Sequence, residues 1–341
     1  MRIAIATVQV PFLHGGAEAH AAGLLAACRR AGHEAEIVTH PFRFSPERAV
    51  RRSMEEWEAE DFDDLNGYAP DVTICLRFPA WYLRHRRKIV WVLHQHRAVY
   101  DLWDAAAQTD EAGELRCAIV EKDTTHLSAA ARLFANSRNV AARLKRYNGI
   151  AGEPLYHPPP LEGKLYARAA EPFIFVPGRH ERLKRQWLLI EAMRHVRAPV
   201  AALISGAGGQ TRAYERLIAE RGLADRVRLS GTLDENRMAA YYACCLGVFF
   251  GPVDEDYGYV ALEAMLAHKP VITCADSGGP LEFVRDQETG LVVEPQAEAI
   301  AAAIDRLHGN RDAARDYGER GWRRYRGLGI SWERVLAALL G

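Results

Sequence analysis

Seven residues separate Glu255 from Glu263 in the stretch Glu255-Asp-Tyr-Gly-Tyr-Val-Ala-Leu-Glu263, and an apolar run, Leu246-Gly-Val-Phe-Phe250, comes just before it. The run has the composition of a buried strand, and Ala-Leu-Glu-Ala-Met favours helix, so the chain is expected to turn from strand to helix near Gly258. The first carboxylate would then lie in the loop at the strand's carboxyl end and the second on the new helix. Between them the helix N-terminus offers unpaired N–H groups with a partial positive charge, a setting that suits a phosphate. A carboxylate on either side can accept hydrogen bonds from sugar hydroxyls. The layout predicts a nucleotide-sugar site.

A second cluster follows the first strand of the second half, in Gly178-Arg179-His-Glu-Arg-Leu-Lys184. Arginine and lysine five positions apart in a βα loop can converge on one diphosphate, the arginine as a fork and the lysine as a point charge. A solvated basic helix start, with Arg182 and Arg185 nearby, explains the same residues. Gly15-Gly16-Ala-Glu18 opens the first helix, where two glycines allow close backbone approach to a ligand or simply make a turn. Gly206-Ala-Gly208-Gly209 begins like a dinucleotide fingerprint, but Thr211 holds the third glycine position and no acid ends the next strand, which disfavours a nicotinamide or flavin enzyme. His94 ends an apolar strand, with His96 and Arg97 beside it, and is either a ligand contact or a structural histidine. Asp254-Glu255-Asp256 imitates a metal-holding D-x-D, yet the basic pair can neutralise a diphosphate by itself, so no metal is expected. The basic, aromatic stretch from Trp81 to Lys88 reads as a solvated helix end; the alternative is contact with an anionic membrane surface.

These residues need a scaffold, and 341 residues are enough for two domains. Short apolar strands alternate with helical patterns throughout, which argues for parallel α/β sheets. Strands are expected at residues 2–7, 35–39, 72–76, 89–93, 133–135 and 154–157, and again at 173–177, 200–205, 227–229, 246–250, 270–273 and 291–293. The proline-rich segment 157–172 reads as a linker. The expected division is an N-terminal acceptor-side domain over residues 1–163, a donor-binding domain over 164–320, and a C-terminal helix segment over 321–341 that packs back on the first. Two doubly wound sheets in tandem imply a ligand cleft between their carboxyl edges. The charged segment 45–66 reads as a mobile excursion more than a core element. Acids and bases balance at 44 each, which argues against nucleic acid as a partner. The six cysteines show no C-x-x-C pair and read as buried thiols of a reducing compartment. The amino terminus reads as a first strand rather than a signal peptide, and a cytoplasmic location is expected.

Taken together, Gly15-Gly16-Ala17-Glu18, His94, Asn136-Ser137, Gly178-Arg179 with Lys184, Gly206-Ala-Gly208, Glu255 to Glu263, Ser277-Gly278-Gly279-Pro280 and Thr289-Gly290 resemble the retaining GT-B glycosyltransferases of family 4, also called group 1. The resemblance implies an α/β fold of two Rossmann-like domains facing each other across a cleft. It also implies roles. Gly15 and Gly16 would lie over the donor phosphate and sugar, His94 would contact the sugar, and Arg179 and Lys184 would hold the diphosphate. Glu255 would bind sugar hydroxyls, Glu263 the ribose, and backbone amides of Tyr257, Gly258, Tyr259 and Val260 the sugar and phosphate. Gly206 would join the donor site, and Gly231-Thr-Leu233 would meet the base. Two departures stand out. Asp256 occupies a position where the family usually has glycine, and His157-Pro-Pro-Pro160 replaces the family's Asn-Gly-Val-Asp junction.

The implied reaction is transfer of a hexosyl group from a UDP- or GDP-sugar, without metal or other cofactor and with retention. The acceptor would be a glycan, a glycolipid or other lipid-linked molecule, or a small molecule, in bacterial surface polysaccharide or glycoconjugate synthesis. A peripheral contact with the inner membrane face stays open. The alternatives are a nucleotide-sugar epimerase or a phosphorylase of the same fold, or a non-catalytic nucleotide-sugar binding module.

Overall fold

The computed structural model describes residues 1–13, 15–107 and 109–341. They form two compact units, Met1–His157 joined by Ser331–Gly341, and Pro158–Ile330. Each is a six-stranded, all-parallel sheet with helices on both faces, as the alternating pattern predicts.

In the first unit the strands are β1 (Arg2–Gln9), β2 (Glu34–Pro41), β3 (Val72–Cys75), β4 (Lys88–Val92), β5 (Arg132–Ala135) and the short β6 (Glu153–Pro154), in the order β2-β1-β3-β4-β5-β6. The helices are α1 (Gly16–Arg30), α2 (Glu47–Ala59), α3 (Asp110–Ser128) and α4 (Arg138–Asn148). Alternation along β1 builds two cores. Ile3 and Ile5 pack with Leu24 and Cys28 of α1, while Ala4, Ala6 and Val8 face Val50, Met54 and Trp57 of α2.

The second unit carries β7 (Phe173–Pro177), β8 (Ala201–Ser205), β9 (Val227–Leu229), β10 (Gly247–Phe249), β11 (Val271–Cys274) and β12 (Gly290–Val293), in the order β12-β11-β10-β7-β8-β9. Its helices are α5 (Gln186–Ala192), α6 (Thr211–Glu220), α7 (Glu235–Cys244), α8 (Tyr259–Leu266), α9 (Ala297–Gly309) and α10 (Arg311–Leu328). A last helix, α11 (Trp332–Leu340), lies in the first unit, where Val335, Leu336 and Leu339 join the core of Ile3 and Ile5. Gly23 makes room for it, since a Cβ there would strike the Trp332 ring. The Arg87 guanidinium also donates to the Leu340 carbonyl at 2.9 Å.

Several expectations need correcting. The units divide after His157, not after 163, because the His157 ring is buried against His20 at 4.1 Å. Residues 321–330 stay with the second unit, where Gly318 and Gly321 of α10 pack on the His268 backbone and on Met265. Residues 45–66 are no loose excursion. The acids and arginines of α2 hide an apolar stripe at Val50, Met54 and Trp57, spaced i, i+4 and i+7, and Trp57 is 0% exposed. The segment from Trp81 to Lys88 is not a solvated helix end either. Trp81, Tyr82 and Leu83 are buried, and the Lys88 ammonium donates to the Trp81 and Leu83 carbonyls at 2.7 and 3.0 Å. Of the cysteines, Cys117 is exposed and Cys244 half-buried; the other four are buried. Among the described residues no helix is long and apolar enough to cross a membrane.

Replacing Trp57 by alanine should therefore lower the unfolding free energy by about 3–5 kcal/mol, the usual cost of emptying a buried aromatic site. Urea denaturation reads this directly, and a change below about 0.5 kcal/mol would return α2 to the surface.

Candidate functional site

In an open parallel sheet, loops diverge where the strand order reverses, and ligands bind at the carboxyl edge there. In the second unit that point lies between β7 and β10, which are adjacent although three strands apart in sequence. The loops leaving them carry the two clusters expected from sequence. Lys184, after β7, donates from Nζ to Oε2 of Glu255, after β10, at 2.6 Å. Both side chains are largely sheltered, 22% and 17% exposed, and the ammonium lies 5.7 Å from the centre of the Phe250 ring. Arg179 pairs within its own loop, with Glu181 at 2.9 Å.

The loop holding Glu255 is clamped on two sides. Val253 N–H donates to the Leu183 carbonyl, and Glu255 N–H to the Ser277 carbonyl at 2.9 Å, while Gly279 N–H donates back to the Glu255 carbonyl at 2.8 Å. Arg185 supplies the strongest tie. Its buried guanidinium donates to the carbonyls of Gly251 and Pro252 at 2.7 and 2.8 Å, and to both oxygens of Asp276 at 2.8 and 2.6 Å. Lys184 and Arg185 thus grip one loop from adjacent positions. Gly258 then opens α8 at φ +99°, and a Cβ there would come within 2.9 Å of Pro280, so only glycine fits the turn into the helix. Residues 258–260 form the helix entrance, with Tyr257 buried and Tyr259 and Val260 half-buried. Asp256 is half-buried, and its carbonyl packs on Gly279.

The loop with Arg179 is shaped from α6. The Tyr214 hydroxyl donates to Gln186 Oε1 at 3.0 Å, Gln186 Nε2 donates to the Arg179 carbonyl at 2.9 Å, and His180 Nδ1 meets the Thr211 hydroxyl at 2.9 Å. Gly206 sits where β8 ends, at φ +119°, with its α-carbon against the Gly178 carbonyl, so the glycine serves loop-to-loop contact. Glu263 is 7% exposed, and the Tyr242 hydroxyl of α7 donates to its Oε2 at 2.7 Å. Burial pushes its carboxyl up to about 7, against the opposing pull of the Tyr242 hydroxyl and the Leu161 N–H.

The remaining candidates belong to the first unit, whose strand order reverses between β1 and β3. Gly15 caps α1 and Gly16 is its first residue, and Glu18 on that helix accepts from Arg77, just past β3, at 2.8 Å. His94 follows β4, half-buried, with Nδ1 2.8 Å from the Gln95 carbonyl. Arg77, Arg185 and Tyr242 were not singled out from sequence as partners of these groups. They act across 59, 66–91 and 21 residues respectively, and no local spacing announces such pairs. Among the described residues no group of three His, Cys, Asp or Glu side chains could hold a metal ion.

Comparison with known proteins bears on the second unit and on the fold. Residues 162–324, nearly all of the second unit, match the family of glycosyl transferases group 1. The D-inositol 3-phosphate glycosyltransferase of Nocardia farcinica is 28% identical over 285 residues, covering 76% of this chain and 62% of that protein. The chain spans about three fifths of the length of the curated relatives it matches first. Sucrose-phosphate synthase of Thermosynechococcus elongatus superposes with a TM-score of 0.78 at 24% identity, over 99% of this chain and 97% of that one. Anabaena HepE in complex with UDP-glucose follows with a TM-score of 0.75 at 16% identity, over 99% and 98%. Most of the second unit thus matches group 1 glycosyl transferases, and the fold of the chain is GT-B.

Glu263 makes stability depend on pH in a defined sense. Below its ordinary value of 4.5 the carboxyl is protonated in folded and unfolded chains alike. As pH rises through about 7 the unfolded chain releases the proton first, so the folded state loses stability, on the order of 3 kcal/mol by about pH 8. Glu263→Gln lacks that loss. Urea unfolding should therefore show the variant gaining on the wild type between about pH 5 and pH 8. A constant difference across that range would mean that the carboxyl ionises at its ordinary value.

Proposed function

We propose that the protein is a retaining glycosyltransferase that moves a hexosyl group from a nucleotide diphospho-sugar to a hydroxyl of a glycan, a lipid-linked molecule or a small-molecule acceptor. The observation that carries the reading is the Lys184–Glu255 pair at the switch point of the unit that matches group 1 glycosyl transferases. A lysine alone there would suit many anions. Paired with a carboxylate it suits a ligand that has an anionic part for the ammonium and hydroxyls for the carboxylate, as a sugar diphosphate does. The HepE complex with UDP-glucose supports a UDP-sugar as the first donor to try, and GDP-sugars are the second.

In this reading Lys184 and Arg179 stabilise the negative charge that grows on the departing diphosphate, the main demand of the reaction. Arg179 gives up Glu181 for the phosphate, an exchange made cheap by the exposure of both side chains. The entrance of α8 at Gly258, Tyr259 and Val260 adds backbone donors to the phosphate and sugar. Glu255 fixes the sugar through its hydroxyls, and Glu263 takes the ribose. Gly206 shapes the donor pocket. No carboxylate is assigned as a nucleophile. The acceptor hydroxyl attacks from the face the leaving group departs, and a leaving phosphate oxygen takes its proton, which retains configuration. The two cations make a metal unnecessary for neutralising the diphosphate. The reaction belongs in the cytoplasm, with nucleotide sugar and acceptor as partners and no nucleic acid, in the synthesis of a surface polysaccharide or glycoconjugate.

Nucleotide release from UDP- and GDP-sugars, measured with acceptor present, tests the reading. Lys184→Ala should lower turnover by about 100-fold or more, as loss of an oxyanion donor does elsewhere. Near-wild-type turnover would remove the lysine from the mechanism, and donor isomerisation without acceptor would show an epimerase instead. A strong chelator should leave the wild-type rate unchanged. A loss restored by magnesium or manganese would show that a metal holds the diphosphate.

A further inference from the structure

Glu263 stands in an unusual place for an anion. It is on α8, where its neighbours in sequence Ala261, Leu262, Ala264 and Met265 are all buried, and among the described residues no cation bonds its carboxyl. The polar groups that face it are few. Tyr242 comes from α7, the Leu161 N–H from the segment before β7, and Tyr259 from the preceding turn of α8 itself. Tyr242 is the only one of these three placed with a hydroxyl 2.7 Å from the carboxylate. Its ring is 0% exposed and wedged edge-on against Phe175 at 5.1 Å, so the hydroxyl has little freedom to turn elsewhere.

A ribose offers hydroxyl donors, and a protonated carboxyl answers them poorly because one of its oxygens carries hydrogen. Whatever keeps Glu263 ionised in this apolar layer therefore governs how well it can take the sugar of a nucleotide. We propose that Tyr242 is a positioning residue for nucleotide binding: its hydroxyl occupies Oε2 of Glu263, holds the carboxylate in one rotamer and favours the anion that accepts the ribose hydroxyls. The proposal rests on the reading that Glu263 is the ribose ligand. It makes nucleotide binding a proton-releasing event. It also ties α7, which follows the candidate base-binding segment Gly231-Thr-Leu233, to the ribose contact on α8.

Titration calorimetry with UDP and GDP, from about pH 5.5 to pH 9, tests this in the wild type, Tyr242→Phe and Glu263→Gln. The wild type should lose affinity on the acid side. Tyr242→Phe should keep most of its affinity at the alkaline end but move the acid limb upward by about one to two pH units, the worth of one charge-assisted hydrogen bond. Glu263→Gln should bind more weakly and lack the limb. Titration of the nucleotide's own phosphate is common to all three and cancels in the comparison. Should the phenylalanine variant fold poorly, 3,5-difluorotyrosine at position 242, a stronger donor, should shift the limb downward instead. An unshifted limb, or an equal loss of affinity at every pH, would reduce Tyr242 to packing and overturn the proposal while leaving Glu263 as the ribose ligand. A wild type that binds neither nucleotide at any pH would overturn both.

Discussion

Placing a lysine and a glutamate within hydrogen-bond distance requires two loops that are 71 residues apart in sequence to leave the same edge of one sheet side by side. The strand order β12-β11-β10-β7-β8-β9 does this, because it sets β10 beside β7 and sends their following helices to opposite faces. Around that constraint the rest of the second unit is organised. Arg185 closes the β10 loop onto Asp276, Gly258 releases the chain into α8, and Gly206 lets the β8 loop approach the β7 loop. An exposed ion pair would contribute little to stability. This one is sheltered and sits in a frame of backbone hydrogen bonds, which fixes its geometry.

The first unit repeats the same physical idea with different residues. Its order reverses between β1 and β3, and there too a cation and a carboxylate meet across the gap, Arg77 with Glu18. The carboxylate is on the helix that begins at Gly16, so the pair fixes the start of α1 relative to the end of β3. Two sheets with one logic account for why charged side chains lie at the carboxyl edges while the strand interiors are almost wholly apolar.

Much of this was legible in the chain itself. Alternation of short apolar runs with helical segments announces parallel sheets. The pairing of Gly258 with a helix-forming run announces the turn at α8, because left-handed backbone there demands glycine. The stripe Val50, Met54 and Trp57 was equally present, but the charges between its members outweigh it in any count of composition, and only burial reveals the helix as core. Trp81 to Lys88 misleads for a related reason: a lysine reads as solvated unless carbonyls wait for it, and those of Trp81 and Leu83 are presented by a tight turn that no spacing rule foretells. The grip of Arg185, the reach of Tyr242 and the meeting of Arg77 with Glu18 are long-range facts. They follow from strand order, and strand order is what a single sequence states least.

If the Lys184–Glu255 pair is built for a sugar diphosphate, the β-phosphate must be what the lysine recognises. Calorimetric affinities of the wild type and Lys184→Ala for a nucleoside diphosphate and for the monophosphate of the same base measure that contact alone. The wild type should prefer the diphosphate by about tenfold or more, an ammonium–phosphate contact of at least 1.4 kcal/mol, and the preference should collapse in the variant. An equal preference in both proteins would place the diphosphate elsewhere and contradict the account.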